Sequence, residues 1–264
     1  MIIGGVAVYP QLFKLGPVSV NSYGLMIAVG FILAVVMARY RAKKRDLNAD
    51  SIYSLGILCI VGGFLGAKLV FIIIEFNNIY KNPSILLNLS DGFVVFGGII
   101  GGVITGYIYC RIKKLGFLKY FDLAAPSIAL AQGFGRIGCF LAGCCYGRET
   151  DWSLGVVFTD TPFAPHGVRL IPTQIFSSIG DFLITAILLI YAKRKRDSGK
   201  VAGLYLILYS VGRFIIEIFR NDPRGHMGDL STSQLISIFT LLLGFALYNF
   251  GKVRMKFFNR QKNC

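Results

Sequence analysis

Two arginines lie inside segments that are apolar enough to be buried in a membrane. Arg136 is the one charged residue in the 25-residue stretch from Leu123 to Gly147, and Arg213 interrupts the apolar run from Val201 to Ile216. Burying a guanidinium group is costly unless it meets an anion or a water-filled cavity, so an arginine at membrane depth indicates a functional site. The chain is therefore predicted to hold two cations at membrane depth, each facing an anion or a water-filled cavity.

A carboxylate accompanies the second arginine. Glu217 follows Arg213 by four residues and precedes Arg220 by three, so all three side chains can share one face of a helix. Two interpretations stay open. The group is either a structural ion pair that neutralises a buried arginine, or a triad that positions a phosphate and a proton.

The composition places these charges in a membrane protein. Hydrophobic residues make up 55% of the chain and charged residues 16%, with a mean hydropathy of +0.63, unlike a soluble domain. We predict an all-α integral membrane protein with a single polytopic domain over residues 1–264 and a basic cytoplasmic tail at 252–264. About seven spans, each able to cross a core of about 30 Å, are predicted near residues 19–39, 51–74, 92–110, 123–143, 171–192, 201–217 and 231–251.

The basic residues predict the orientation of these spans. Nineteen of the 28 lysine and arginine residues fall in four short clusters, at 39–45, 111–119, 193–200 and 252–262. Since cytoplasmic connections carry the excess of positive charge, the N-terminus is predicted outside and the C-terminus in the cytoplasm. The net charge of +15 also suggests nucleic-acid binding, but clusters beside spans are better explained by topology and anionic lipid. We expect no nucleic-acid partner.

Glycines recur at a spacing that favours helix packing. Gly97 and Gly101, and Gly98 and Gly102, are each four residues apart, which lets helix backbones approach closely in a membrane. The run at 96–102 is dense enough that free backbone amides at a helix start could also meet a phosphate. Close packing and anion contact both stay open for Gly97 and Gly98.

Three cysteines, Cys139, Cys144 and Cys145, cluster at the outer end of the fourth predicted span. The commoner explanation is small residues at a tight helix interface. A zinc site would need spacing and geometry that the sequence does not show clearly. A disulfide is the other alternative, because the outer side of the membrane is oxidising in many bacteria. We expect no metal here.

The segment GRIGCFLAGCCYG at residues 135–147 resembles the signature of the prolipoprotein diacylglyceryl transferase family, whose usual form is GRxGNFxNGxxxG. Further motifs of that family have counterparts in the same order, over nearly the entire chain. They are YGLM at 23–26, GAKL at 66–69 (GARL in the family), FGGIIG at 96–101 (HGGLIG), PTQIF at 172–176 (HPTQLYE), YSVGR at 209–213 with Glu217 and Arg220, and STSQL at 231–235.

The resemblance implies a seven-span enzyme of the bacterial cytoplasmic (inner) membrane. Members of the family move the diacylglyceryl group of phosphatidylglycerol onto the lipobox cysteine thiol of an exported prolipoprotein, and release glycerol 1-phosphate. The implied partners are therefore phosphatidylglycerol, the prolipoprotein signal peptide and membrane lipids. The reaction implies no metal and no soluble cofactor.

The resemblance also implies the site residues. The expected catalytic residues are Arg136, Arg213 and Glu217, with the two guanidinium groups stabilising the phosphoglycerol that leaves. The expected substrate-binding residues are Tyr23, Lys68, Gly97, Gly98, Cys139, Gly143, Tyr209 and Arg220.

The chain departs from the family's motifs at positions that carry chemistry. The histidine that opens HGGLIG, often assigned to proton handling, is Phe96, and the asparagine of the signature is Cys139. The histidine before PTQ is Ile171, and the glutamate that closes that segment is Ser177. The departures concern the handling of the thiol and its proton more than the binding of phosphate.

Phe96 cannot take a proton from a thiol, so three explanations stay open. Another group such as Glu217, Tyr209 or His166 serves, the reaction tolerates the absence, or the chain is a paralogue with altered chemistry. A transferase of the same lipid to a different acceptor would keep the phosphate site and lose the thiol-handling groups. A non-catalytic lipid-binding or transport protein would also carry charges within its spans.

Overall fold

The computed structural model describes residues 6–7, 10–15, 18–87, 92–159, 161–222, 226–227 and 230–262. Most of these residues are helical, as the sequence predicts. A short 3₁₀ helix lies at Pro83–Leu87. The α-helices are α1 (Ser22–Lys43), α2 (Ser51–Ile74), α3 (Phe76–Lys81), α4 (Val95–Ile112), α5 (Phe117–Ala142), α6 (Thr173–Tyr191), α7 (Lys200–Phe219) and α8 (Thr232–Lys262).

Six of these helices, α1, α2, α4, α6, α7 and α8, are long and apolar enough to cross a membrane. Large apolar side chains on them are exposed, such as Leu65 at 63% and Ile73 at 64%, as acyl-chain contact requires. The predicted all-α membrane class is therefore confirmed. Helix α5 has 26 residues but also contains Asp122, Gln132 and Arg136, and it is not among the six. The number of spans and their orientation stay predictions.

The described residues also include short strands, three of them before α1: β1 (Val6–Ala7), β2 (Gln11–Leu15), β3 (Val18–Asn21), β4 (Val156–Thr159), β5 (Arg169–Leu170), β6 (His226–Met227) and β7 (Leu230–Ser231). A three-stranded sheet has the order β1, β4, β5, with β1 parallel to β4 and β4 antiparallel to β5, and two further pairs, β2 with β3 and β6 with β7, are antiparallel.

The chain divides into two compact units, one of which comprises residues 38–120. Its main contact is between α2 and α4, whose backbones approach closely. A Cβ atom on Gly97 would lie 2.5 Å from the carbonyl oxygen of Gly66, and one on Gly101 would overlap the carbonyl oxygen of Gly62. The predicted role of the spaced glycines in helix packing is therefore confirmed at these positions.

The other unit comprises the described residues up to Met37 and those from Phe121 onward. Helices α5, α6 and α7 share an apolar core that includes Ala129, Leu188 and Tyr205. Helix α1 approaches α5 at Gly30, where a Cβ atom would lie 2.8 Å from Cβ of Phe134. Helix α8 packs along α7. Within this unit α5 is in contact with α1, α6 and α7.

Asp122 of α5 fixes the start of α7. Its two carboxylate oxygens accept hydrogen bonds from the backbone amides of Gly199, at 2.6 Å, and Ala202, at 2.8 Å. The first amides of a helix have no partner inside the helix, and the helix dipole favours a negative charge there. This contact ties α7, which carries Arg213, to α5, which carries Arg136.

Gly101→Ala is expected to destabilise the unit built on α2 and α4. The added methyl group would overlap the carbonyl oxygen of Gly62, and such overpacking typically costs about 1–3 kcal/mol. The measurement is thermal unfolding of the purified protein in detergent. Gly102→Ala is the matched control, because its Cβ atom would lie 3.4 Å from the carbonyl oxygen of Cys59, an ordinary contact. Equal melting temperatures for the two variants would contradict this account of the packing.

Candidate functional site

A small cleft lies among α5, α6 and α7. It brings the two arginines predicted from the sequence, Arg136 and Arg213, to the same place, together with Tyr209. The cleft is lined by Arg136, Phe176, Ser177, Gly180, Asp181, Ile184, Tyr209, Gly212, Arg213 and Ile216. The combination of two cations, one carboxylate and apolar walls suits a charged group attached to a lipid.

Among the residues that the structure describes, the partners of Arg213 contact one end of its guanidinium group. Its Nη2 atom lies 2.8 Å from Oε2 of Glu217 and donates a hydrogen bond to Oγ of Ser233 at 2.9 Å. Its Nη1 atom is buried and has no hydrogen-bond partner among the described residues. A buried donor without a partner is costly, so this atom is suited to bind an anionic ligand.

Glu217 orients Arg213. The two side chains form the ion pair that their spacing on α7 predicts, and Oγ of Ser231 donates a hydrogen bond to Oε1 of Glu217 at 2.8 Å. Both carboxylate oxygens therefore face protein partners. The carboxylate is buried, which supports the interpretation as an ion pair that stabilises a buried arginine.

The expectation that Arg220 shares this helix face is wrong. Helix α7 ends at Phe219, and the backbone at Arg220 is extended. The Arg220 guanidinium group instead pairs with Asp222, with Nε 3.0 Å from Oδ1 and Nη2 2.7 Å from Oδ2. The physical reason is the end of the helix, because a residue three positions after Glu217 stays on its face only if the helix continues.

Arg136 lies on α5, and its positive charge interacts with several neighbouring groups. It acts electrostatically on Tyr209, on Cys139 and Cys145, and on Asp181. Within the part of the chain that the structure describes, its guanidinium group forms no hydrogen bond or ion pair. The donors of Arg136 are thus available to a ligand in the cleft.

Asp181 is a cleft residue to which the sequence motifs assign no role. The residue is only 6% exposed, and both Arg136 and Arg213 attract its carboxylate electrostatically. It lies one helical turn after Ser177, so both side chains face the cleft from α6. The signal in the sequence is a carboxylate within an apolar span, four residues after the position where the family motif has glutamate.

The turn after α5 gathers the three cysteines. Gly143 ends the helix with φ +73°, and a Cβ atom there would lie 2.5 Å from Oγ1 of Thr161, so the position requires glycine. Cys145 also has a positive φ, +62°. The chain therefore folds back on α5, and the sulfur atoms of Cys139, Cys144 and Cys145 all lie within 4.8 Å of one another.

The start of α6 anchors this turn. Oγ1 of Thr173 donates a hydrogen bond to the carbonyl oxygen of Cys145 at 2.8 Å, and Nε2 of Gln174 donates one to that of Cys144 at 2.7 Å. Both side chains are buried. The Oε1 atom of Gln174 is buried too and has no hydrogen-bond partner among the residues described. The PTQIF segment thus positions the cysteines, a role that its sequence alone does not indicate.

The three thiols differ in acidity. Hydrogen bonds from Cys139 and Cys144 lower the pKa of the Cys145 thiol, and the positive charges of Arg220 and Arg136 lower it further. Hydrogen bonds to Cys139 and Cys145 raise the pKa of Cys144 above its usual value. Arg220 acts on Cys145 because the chain at Gly147 pairs with the chain at Arg220. The cluster therefore favours negative charge at Cys145.

The tyrosines expected in the site lie in the same unit as the cleft. Tyr23, in the first turn of α1, packs against Gly138 of α5, where a Cβ atom would lie 3.2 Å from the Tyr23 Cα atom. Tyr209 lines the cleft and stacks on Tyr205 with 5.8 Å between ring centroids. Tyr205 in turn donates a hydrogen bond to Oε1 of Gln132 at 2.9 Å.

Lys68, Gly97 and Gly98 lie in the unit of residues 38–120. The Lys68 ammonium group lies 5.0 Å from the ring centroid of Phe93 and 5.2 Å from that of Phe71, within the range of cation–π attraction. Gly97 and Gly98 face α2. A contact of these three residues with substrate stays a prediction.

The family profile and the known proteins that match this chain carry the same family name. The family profile of prolipoprotein diacylglyceryl transferase matches residues 10–250. A phosphatidylglycerol–prolipoprotein diacylglyceryl transferase of Clostridium tetani is 51% identical, over 93% of this chain and 98% of that protein. Transferase 2 of Clostridium perfringens is 47% identical over 89% and 92%, and the enzyme of Clostridioides difficile is 34% identical over 88% and 91%. The chain belongs to the prolipoprotein diacylglyceryl transferase family.

Proposed function

We propose that this protein is a membrane enzyme that transfers the diacylglyceryl group of phosphatidylglycerol to prolipoproteins. One observation carries the proposal: Arg136 and Arg213 face one cleft, and each has guanidinium donors with no partner among the described residues. The relatives named for this activity match nearly the full length of the chain, which supports the same assignment.

The acceptor is the thiol of the lipobox cysteine in an exported prolipoprotein. Its sulfur attacks the carbon of the diacylglyceryl group that is bonded to the phosphate oxygen. A C–S bond forms as the C–O bond between that carbon and the phosphate breaks. The electron pair of the C–O bond stays on the oxygen of glycerol 1-phosphate, which leaves as an anion. Negative charge on the phosphate oxygens therefore grows in the transition state, and fixed positive charges nearby stabilise it.

Arg136 and Arg213 supply these charges. Nη1 of Arg213 is the donor left over after Glu217 and Ser233 have bound Nη2. Glu217 and Ser233 therefore act as positioning residues, which hold the guanidinium plane in place before the lipid arrives. In a site that excludes water, a charge held in this way interacts with phosphate more strongly than it would in solvent.

Asp181 is the residue that we assign as acceptor of the thiol proton in place of the missing histidine. Both oxygens of Glu217 face Arg213 and Ser231, and His166 is exposed in the connection between β4 and β5. Asp181 is buried at the cleft, and its side chain forms no hydrogen bond within the described residues. A carboxylate within reach of the thiol can act as a general base.

The orientation predicted from the basic clusters suits this chemistry. We propose seven spans in the bacterial cytoplasmic membrane, namely the six long apolar helices and α5. The N-terminus lies outside, and the tail at 252–264 lies in the cytoplasm. Contacts of α5 with α1, α6 and α7 shield its polar residues from lipid. The connection after α5 then lies outside, where exported prolipoproteins arrive. The basic clusters serve topology and lipid contact rather than nucleic-acid binding.

A product assay tests the function directly. Purified protein, phosphatidylglycerol and a lipobox peptide are incubated, and the peptide mass and the released glycerol phosphate are measured. We expect the peptide to gain one diacylglyceryl group, with an equal amount of glycerol phosphate released. A peptide with serine in place of the cysteine is the control and should gain nothing.

The same assay separates the alternatives that Phe96 leaves open. Lipid consumed without a change in peptide mass would contradict the proposal and indicate another acceptor. Lipid that is bound but chemically unchanged would indicate a carrier.

Arg136→Lys and Arg213→Lys are each expected to lower kcat by about 10²–10³-fold, the loss typical of removing one donor that stabilises a developing anion. Lysine keeps the charge but loses the planar fork that matches phosphate. It is preferred to alanine at position 213, because removing the charge would leave Glu217 buried and unpaired. Arg148→Lys, at an exposed arginine, is the control. Near-normal kcat for both variants would contradict the phosphate site.

Asp181→Asn is expected to lower kcat by about 10²–10⁴-fold, the usual contribution of a general base. Because the substitution removes a negative charge close to the two arginines, the variant should bind phosphatidylglycerol at least as tightly as the unaltered protein. Turnover and lipid binding are measured separately. Asp151→Asn, at an exposed position, is the control. Unchanged kcat, or parallel losses in turnover and lipid binding, would contradict the role of Asp181.

A further inference from the structure

Three thiols lie together at the turn after α5, and none of them takes part in the bond-breaking or proton-transfer steps proposed above. The sulfur atoms of Cys139, Cys144 and Cys145 are all within 4.8 Å of one another. In a tetrahedral zinc site with Zn–S bonds of about 2.3 Å, ligand sulfurs lie about 3.8 Å apart. Small side-chain rotations would therefore bring the three sulfurs onto one ion.

The backbone around the cluster is built to keep the thiols together. Gly143 and Cys145 both adopt positive φ, and for Cys145 this is an unfavourable conformation that a residue with a Cβ atom adopts rarely. Hydrogen bonds from Thr173 and Gln174 hold the carbonyl groups of the turn. Unfavourable backbone conformations that are fixed in this way concentrate at functional sites. Small residues that only fill a helix interface would not require a cysteine with positive φ.

The surrounding charges suit a metal bound by thiolates. Three thiolates and a divalent cation carry a net charge of −1, and the positive charges of Arg136 and Arg220 act on the cluster. The cluster also lies at the C-terminal end of α5, where the helix dipole favours a cation. The arginines therefore offset the negative charge of the thiolates, and the end of the helix favours the cation.

The ligand set is that of an open site. Among the described residues the cluster consists of three cysteines, with no histidine or carboxylate in the group. Structural zinc sites have four protein ligands, whereas sites with three leave one position for water or substrate. The buried Oε1 atom of Gln174, which has no hydrogen-bond partner in the described part of the chain, is an acceptor beside the same turn.

We propose that Cys139, Cys144 and Cys145 form a Zn²⁺ site with three thiolate ligands and one open coordination position. Zinc binding releases the thiol protons to the solvent, and no electron transfer is involved. Since the open position takes soft donors well, a thiolate is the class of ligand that it favours. The proposal replaces the expectations from the sequence that the cysteines pack without a metal and that Cys139 binds substrate.

A metal titration tests the site without lipid or peptide, so its result does not depend on the transfer reaction. Protein in detergent is stripped with a chelator under reducing conditions and titrated with Cd²⁺ as a spectroscopic substitute for zinc. We expect thiolate-to-cadmium charge-transfer absorption that saturates at one ion per chain. Equilibrium dialysis against Zn²⁺, followed by elemental analysis, should give the same stoichiometry.

Substitution of the three cysteines identifies the ligands. Cys139→Ser, Cys144→Ser and Cys145→Ser should each weaken Zn²⁺ binding by more than the roughly 10–100-fold typical of outer-shell changes. Cys59→Ser and Cys110→Ser, at cysteines of α2 and α4 outside the cluster, are the matched controls and should bind one ion. Thermal unfolding of each stripped variant verifies that it is folded.

Three results would overturn the proposal. The first is no stoichiometric binding by the folded protein. The second is binding that none of the three substitutions weakens. The third is a disulfide within the cluster, seen in the intact mass as the loss of two hydrogens, that survives the reducing conditions under which the ion is offered.

Discussion

The buried ion pair between Arg213 and Glu217 is the interaction on which the cleft depends. A guanidinium group at membrane depth is stable only if its charge is compensated, and Glu217 provides this at 2.8 Å on the same helix. Because the pair and Ser233 use only Nη2, the opposite nitrogen is left for a ligand. Stability and ligand binding are thus achieved by two ends of one side chain.

Helix α5 connects this pair to the other parts of the site. It carries Arg136 toward the cleft, and Asp122 near its start holds the first amides of α7. At its other end, Gly143 reverses the chain and places the cysteines beside Arg136 and Arg220. The polar residues that make α5 less apolar than the other long helices are therefore the ones that organise the unit.

Features that depend on neighbours along the chain could be predicted from the sequence. The ion pair on α7 followed from a spacing of four, and the contact of α4 with α2 followed from spaced glycines. The importance of Arg136 followed from the cost of burying its charge.

Features that depend on the ends of helices or on distant segments could not be predicted in the same way. Arg220 pairs with Asp222 because α7 ends one residue earlier. Asp181 joins the cleft only when α6 packs beside α5 and α7. The three thiols meet because two residues adopt positive φ and α6 anchors the turn, and the spacing of the cysteines shows neither fact. From the sequence alone, the three cysteines are therefore expected only to pack at a helix interface.

The central claim is that Arg136 and Arg213 together hold the phosphate of the lipid, and an experimental structure with phosphatidylglycerol bound tests it most directly. The account predicts a phosphate oxygen within hydrogen-bond distance of Nη1 of Arg213, and another within that distance of the Arg136 guanidinium group. A phosphate bound elsewhere, with Nη1 of Arg213 still lacking a partner, would contradict it.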